Sequence, residues 1–420
     1  MIRYLLRTAL TVAVPAVLCA QTPVAYTAGR MLDLRAGRMI EHPVIVVQGD
    51  RILSVGQSAP PGVSPVDLGN VTLLPGFMDL HTHLTAEIEG NWATRDVTET
   101  PADAALRGVP NARKTLLAGF TTVRDLGAPG GADVSLMHAI DAGRMIGPRI
   151  VPAREAIGIT GGHCDVTGYA PGIAEGASHG VADGVDAVVR AVRYQVKYGA
   201  RVIKVCATAG VLSFEGPVGA QQLSDEELKA IVEEARRHGL KVAAHAHGAD
   251  GIIAAVRAGV ASIEHGSMIN DQAIALMKQK GTFLVPTTYL ADRIDLDALP
   301  PPIRAKAEPL LPLAKENLRR AIRAGVRIAF GTDAAVYPHG ENAHEFGALV
   351  DRGMTPLEAL RTATLNAAEL LGLDDRGEIA AGRLADLVAV PGNPLEDIHV
   401  TERVSWVMKG GVVVKPGSGP

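Results

Sequence analysis

Five stretches of the chain carry residue types that bind metals or move protons. Asp79-Leu80-His81-Thr82-His83 closes an apolar run. In an extended strand, residues two apart face the same side, so His81 and His83 point into one space. Lys204 stands inside the apolar run Val202 to Ala207. His245 ends the run that starts at Lys241, His265 follows Ile263 and Glu264, and Asp333 follows Gly331 and Thr332. Each has an ordinary explanation on its own. A His-x-His pair is as readily a hydrogen-bonded pair as a metal site, a single strand-end His is usually a satisfied core or rim residue, and an Asp after Gly-Thr is commonly a turn or a helix cap. The combination is different. Four imidazoles, a carboxylate and an amine are costly to bury together unless something coordinates them. A pair of divalent cations does that, with the nitrogen and oxygen ligands that zinc takes.

A protonated Lys204 facing cations would be repelled, and both the cations and an apolar wall depress its pKa. The neutral amine can add carbon dioxide, giving a carbamate whose two oxygens suit a bridge between two metals. The competing reading, a Schiff-base lysine in an aldolase-type barrel, has no use for four histidines and an Asp.

These residues need a scaffold that gathers distant strand ends. Eight apolar, β-rich runs recur at residues 76–84, 120–126, 149–157, 200–207, 241–246, 261–265, 282–288 and 327–333, with helical stretches between them. In the clearest helix, residues 224–239, Ser224 caps the start, Glu227 completes a capping box and Gly239 ends it. Residues 252–258 and 272–278 also read as helix. Continuous apolar strands alternating with helices mean a parallel sheet. Eight such units mean an α/β fold, a TIM-type (β/α)8 barrel, whose active sites lie at the C-terminal strand ends where these residues fall. An open doubly wound sheet is the runner-up, but no Gly-rich phosphate loop follows the first strand. The chain ends differ. Residues 24–75 alternate and turn, with a hairpin around Gln48-Gly49-Asp50, and residues 387–390 and 404–414 repeat the pattern around Lys409-Gly410-Gly411. The expected organisation is a small β-sandwich built from residues 21–75 and 376–420, with the barrel of residues 76–375 inserted between its two parts.

Composition narrows the function. At 420 residues with 47% hydrophobic and 20% charged residues, there is material for a large core, which excludes a disordered chain. A net charge of −4 with 4% aromatic residues excludes a basic, base-stacking nucleic-acid surface. Three cysteines are too few for a disulfide scaffold. Cys164 and Cys206 are free to pair in an oxidising compartment but read as small packing residues. Arg3 and Arg7 precede an uncharged stretch from Thr8 to Ala20 that is too short to cross a bilayer. This pattern describes a signal peptide over residues 1–20, hence an exported, periplasmic or secreted protein with no membrane attachment after cleavage. A buried N-terminal helix is the bland alternative. Lipidation at Cys19 is disfavoured by Leu18, which stands where a small residue is required.

Five motifs carry a resemblance: LLPGFMDLHTHL (Leu73 to Leu84), VIKVCATAG (Val202 to Gly210), VAAHAHG (Val242 to Gly248), ASIEHG (Ala261 to Gly266) and FGTDA (Phe330 to Ala334). With the C-terminal run from Thr362 to Val390, they make the chain after residue 20 resemble the amidohydrolase superfamily over nearly its whole length. The resemblance implies that His81, His83 and Asp333 bind one divalent metal and that His245 and His265 bind a second. Carboxylated Lys204 and a hydroxide would bridge the two, with zinc the default metal. Asp333 would serve as general base towards the attacking oxygen, then as general acid towards the leaving amine. ITGGHCD (Ile159 to Asp165) and the fourth-strand Lys are similar to the branch of Xaa-Pro and Xaa-Arg dipeptidases and related carboxypeptidases. That branch implies cleavage of the amide bond of dipeptides or N-acyl amino acids. Ochratoxin A, an isocoumarin acid amide-linked to phenylalanine, is an expected substrate, giving ochratoxin α plus phenylalanine. A homo-oligomer, up to an octamer, is also implied. His163 matches a substrate-contacting position, which assigns it oxyanion or carboxylate recognition; a rim-loop residue is the alternative.

Other residues are less determined. Tyr289 follows the seventh strand, where its phenol can bind a substrate carboxylate. His247 shares a face with His245 if the strand persists, and stays outside the ligand set as a supporting or loop residue. The stretch from Val211 to Gln222 is long enough to reach over the site. The main rival reading is a mononuclear deaminase or an imidazolonepropionase-like cyclic amide hydrolase of the same superfamily. Such sites usually lack the carboxylated Lys, and many deaminases carry a general-acid Glu three residues after the fifth-strand His, where this chain has Gly248. A lactonase or phosphotriesterase shares the two-metal site. A binding protein without activity has no need of so many buried polar groups. A preference for an apolar C-terminal residue rests only on the lack of an obvious acidic pocket partner.

Overall fold

The computed structural model describes residues 22–90, 92–170, 172–173 and 176–417; the expected signal peptide, residues 1–20 with Cys19, lies outside them. Seven of the eight expected runs are strands: β1 (Phe77–Thr82), β2 (Phe120–Asp125), β3 (Arg149–Pro152), β4 (Ile203–Cys206), β5 (Val242–Ala246), β6 (Ser262–His265) and β7 (Phe283–Val285). β1 to β3 form one parallel sheet and β4 to β7 another. Parallel bridges Ile157–Val205, Leu284–Ile328 and Thr82–Ala334 join their edges. A helix separates each strand from the next, as in Pro101–Leu117, Val185–Lys197 and Ala249–Ala258. β1, β2, β4 and β5 are buried along their whole length, so both of their faces are covered and their apolar runs need not alternate.

The eighth run, residues 327–333, makes isolated bridges instead of a regular strand. Its N–H groups go to three different places: Ala329 to Leu284, Phe330 to Thr362, and Thr332 and Asp333 both to the carbonyl of His81. Asp333 then takes φ 60°, which turns the chain out of any ladder.

The capping box forms as expected. Ser224 Oγ accepts from Glu227 N–H at 3.2 Å, Glu227 Oε2 accepts from Ser224 N–H at 2.8 Å, and Gly239 takes φ 71° just past the helix Asp225–Arg237. The long helix Pro301–Arg323 was not expected, because Pro309 and Pro312 interrupt its pattern. Each removes one backbone donor. The helix nevertheless keeps Ala307, Leu310, Leu311, Ala314 and Leu318 at helical spacing on one face.

The two chain ends meet in sheets. Leu387–Pro391 pairs antiparallel with Val71–Pro75, inside a six-stranded sheet that also holds Arg30–Asp33 and Trp406–Lys409. A four-stranded sheet carries the hairpin Val44–Gln48 and Arg51–Gly56. Tyr26, Ile45 and Ile52 from this sheet pack with Leu73, Leu387 and Trp406 from the other in one apolar cluster.

Two features fix the first strand against the eighth segment. Phe77, Phe120, Phe330 and Phe346 stack with ring centroids 4.5–6.4 Å apart, which anchors β1, β2 and the approach to Asp333. Gly331 leaves no room for a side chain: a Cβ would stand 2.3 Å from Val285 Cγ1 and 2.9 Å from His81 Cβ. Gly331→Ala is expected to destabilise the fold by about 1–3 kcal/mol through overpacking, read by chemical denaturation. Ser224→Ala, remote from this contact, should cost about 1 kcal/mol through loss of the cap alone.

Candidate active site

The residues singled out in the sequence meet at the C-terminal ends of the parallel strands. Ladder register sets His245 opposite Cys206 and His265 opposite Ala246. Strand alternation then breaks where it matters. His265, Thr287 and Asp333 have φ of 68°, 50° and 60°, a left-handed conformation that costs non-glycine residues about 1–3 kcal/mol each. The turn at His265 lets consecutive residues face the same target. Glu264 accepts a hydrogen bond from His81 at 2.9 Å, while the His265 ring lies 5.0 Å from the His81 ring.

Hydrogen-bond partners decide which ring nitrogens are free. His81 Nδ1–H donates to the Glu264 carboxylate, and His83 Nδ1–H donates to the carbonyl of Gly127 at 3.1 Å. Their Nε2 atoms therefore face Asp333 Oδ1, at 3.5 and 3.3 Å. His81, His265 and Asp333 each offer a ligand atom, all within 4.8 Å of one another. Lys204 Nζ lies 3.4 Å from His81 Nε2. His245 Nε2 is buried without a hydrogen-bond partner among the described residues. Ring nitrogens facing a carboxylate, beside an orphaned buried nitrogen, fit a cation.

Charge follows from burial. Burial, then the charge of Lys204, lowers the His81 pKa to about 4. Burial also holds His265 and His245 well below the usual imidazole range, keeping them neutral and able to ligate. Burial lowers Lys204 to about 8, which leaves part of its amine unprotonated near neutrality. For Asp333, burial favours the acid, but the surrounding imidazoles, His81 first, outweigh it and the carboxylate stays ionised. Burial opposes a proton on His83 too, and the Asp333 hydrogen bond overcomes it, raising the pKa.

Beside this cluster lies a cavity with an apolar wall. Leu290, Ile294, Leu310, Leu311 and Leu318 line one side; Val211 and Leu212 line another; His163, His245, His247, His265 and Asp333 form the polar end. The loop from Val211 thus does reach the site. Lys306 holds it to the long helix by donating to the carbonyls of Gly210 and Ser213 at 3.3 and 2.9 Å. His163 stands 4.2 Å from His245, ring to ring. His247, left outside the ligand set by sequence reasoning, stacks on His265 at 5.1 Å and bonds Ser267 through Nδ1 at 2.9 Å. Tyr289 is not brought to this cavity: its ring stacks on His344 at 4.9 Å and meets Tyr337 edge-on. Cys164 and Cys206 are not separate packing residues; they form a disulfide, because the His163 loop folds back onto the end of β4.

Sequence reasoning missed the layer that holds the ligand atoms in place. Arg124, 2% exposed, donates to Ser262 at 3.0 Å and to Glu264 at 2.8 Å, so Glu264 joins a cation to His81. Asp79 accepts from Thr332 N–H at 3.1 Å, the Thr332 hydroxyl at 2.6 Å and Asn342 at 2.8 Å, tying β1 to the segment before Asp333. The available signal was a charged residue inside an apolar strand, which Arg124 and Glu264 both are.

Comparison with known proteins shows the family. A model of the amidohydrolase family matches residues 72–414. The chain belongs to that family. As an amidohydrolase it is a hydrolase acting on amide bonds, and its family is metal-dependent. It is 38% identical over 373 residues to an ochratoxinase of Aspergillus niger, a match covering 83% of this chain and 77% of that one. A crystal structure of a Xaa-Pro dipeptidase with methionine bound in the active site superposes with a TM-score of 0.89 at 37% identity, covering 94% of this chain and all of that one. The crystal structure of the A. niger ochratoxinase gives 0.83 at 35% identity, over 95% and 97% of the two chains. These neighbours make the amidohydrolase fold TIM-barrel-type.

Removing one partner of the Arg124–Glu264 pair strands a buried charge. Arg124→Met is expected to cost about 3–5 kcal/mol by denaturant titration. For Glu264, burial favours the acid, but Arg124 and His81 lower its pKa from 4.5 to about 2. A depressed carboxyl pKa contributes stability that is full above pH 4.5 and is lost as pH falls through 2. Acid titration of stability should therefore fall more steeply across this window in the wild type than in Glu264→Gln.

Proposed function

We propose that this chain is a binuclear metal-dependent amidohydrolase that cleaves the amide bond of dipeptides or N-acyl amino acids ending in an apolar residue, ochratoxin A among them. The reading includes a (β/α)8 barrel over residues 76–375 beside a β-sandwich of residues 21–75 and 376–420. The observation that carries it is the set of buried and half-buried imidazoles converging on Asp333 next to an apolar cavity. His81, His83 and Asp333 would hold one divalent ion, and His245 and His265 a second, zinc being the default. Lys204, depressed towards neutrality by its burial, would add carbon dioxide, lose a proton and present a carbamate to both. When bound, such ions acidify water and polarise a carbonyl.

The chain's own groups do the rest. Asp333, held ionised, accepts the proton of the attacking water and delivers it to the departing amine. His163, at the polar end of the cavity, donates to the developing oxyanion or to the substrate carboxylate. Leu290, Leu310 and Leu311 receive the apolar side chain. The methionine in the related dipeptidase supports an apolar amino acid there. Gly248 and the buried Lys204 favour this reading over a mononuclear deaminase. Export from the cytoplasm is part of the proposal, and the Cys164–Cys206 disulfide supports an oxidising compartment.

A panel of N-acyl amino acids, dipeptides and ochratoxin A, followed by release of the free amine, tests the reading. Apolar C-terminal residues should be cleaved with the highest kcat/KM, and Asp333→Asn should lose roughly 10²–10⁴-fold in kcat. No amide cleavage across the panel, or full activity in Asp333→Asn, would contradict it.

A further inference from the structure

Cys164 and Cys206 form a disulfide with their Cα atoms 5.9 Å apart. Cys164 directly follows His163, and Cys206 lies two residues beyond Lys204 on β4. The bond therefore ties the loop that carries one candidate site residue to the strand that carries another. Beyond β3 the chain first runs alongside β4: Ile157 N–H reaches the carbonyl of Lys204 at 2.8 Å, and Cys206 N–H reaches that of Ile157 at 2.9 Å. The loop then turns back so closely that a Cβ on Gly158 would stand 2.8 Å from Cys164 Cβ. Its outer part has its own anchor, Thr160 on Asp183.

The hydrogen bonds of His163 go to the segment that continues β4. Its N–H donates to Gln222 Oε1 at 3.0 Å, and its Nδ1 meets the Ser213 hydroxyl at 2.5 Å. A Cβ on Gly210 would fall 2.2 Å from the ring. Beside the His245 ring, the ring thus sits against Gly210 and Ser213 of one segment while its backbone belongs to another. The covalent bond one residue away fixes the two segments against each other.

We propose that the Cys164–Cys206 disulfide is a positioning element of the active site: it sets where the His163 ring stands relative to His245 and the substrate. The inference rests on the amide-hydrolase reading above. A disulfide that only restricts the unfolded chain would raise stability and leave turnover alone. One that places a substrate-contacting ring alters kcat/KM, because a misplacement of about 1 Å costs up to roughly a hundredfold.

The test begins with alkylation of the native protein and peptide mass mapping. Both cysteines should be unlabelled before reduction and labelled after it. An excess of a small dithiol supplies the two electrons and two protons that turn the S–S bond into two thiols, and itself closes to a cyclic disulfide. Reduction should lower kcat/KM on the preferred amide roughly ten- to a hundredfold, reversibly on reoxidation, with metal content unchanged. The Cys164→Ser/Cys206→Ser protein should behave like the reduced form; if it fails to fold, reduction of the folded wild type carries the test. In a His163→Ala background, reduction should change kcat/KM less than about twofold, since no ring is left to place. Free thiols in the native protein, an equal loss with and without the His163 ring, or loss of metal on reduction would each overturn the inference. An active enzyme indifferent to reduction overturns it alone. A disulfide-bonded chain that cleaves no amide in the panel overturns the functional reading and this inference with it.

Discussion

Two imidazole lone pairs aimed at one carboxylate oxygen repel each other and the carboxylate unless positive charge stands between them. With both rings neutral, that is the situation at Asp333 Oδ1, faced by His81 and His83 Nε2 at 3.5 and 3.3 Å. It arises because the Nδ1 positions of both rings are already committed, one to Glu264 and the other to the carbonyl of Gly127. The His81 and His245 rings are buried, so bulk solvent does little to screen the conflict. A proton on His83 and the Lys204 amine, 3.4 Å from His81 Nε2, answer part of it. A divalent cation answers all of it, and also gives a partner to the orphaned His245 Nε2.

Much of the surrounding architecture serves to hold these acceptors together. Arg124 neutralises Glu264, which orients His81. Asp79 gathers Thr332 and Asn342, which brings the eighth segment to the end of β1. Left-handed conformations at His265, Thr287 and Asp333 store local strain, and they persist because ladder pairs, the phenylalanine stack and the close contact at Gly331 leave the chain no alternative. Stability is given up at the site and recovered in the packing beneath it.

The sequence exposed those features whose physics is local. His81 and His83 could be placed on one face because a strand repeats every two residues. The helix after Ser224 was legible from its cap, its capping-box Glu and its terminal Gly. Lys204 stood out as a charge in an apolar run. Features that depend on a turn of the backbone or on a distant partner stayed hidden. Strand alternation puts Glu264 and His265 on opposite faces, and only φ of 68° at His265 brings both to His81. Pro309 and Pro312 disguised the helix that walls the cavity. The pairing of Cys164 with Cys206, 42 residues apart, depends on how the His163 loop folds back, which no spacing rule encodes. The eighth run was found by composition, yet its role in carrying Asp333 is what denies it a strand's regular hydrogen bonds.

The proposed function requires that the polar cluster at the C-terminal strand ends hold two cations bridged through Lys204. Elemental analysis of protein purified in bicarbonate buffer, with Lys204→Ala prepared alongside, tests it most directly. The account predicts about two divalent ions per chain in the wild type and a sharp fall in the variant. One ion per chain, unchanged by the substitution, would contradict it and leave Lys204 as a packing or substrate-binding residue.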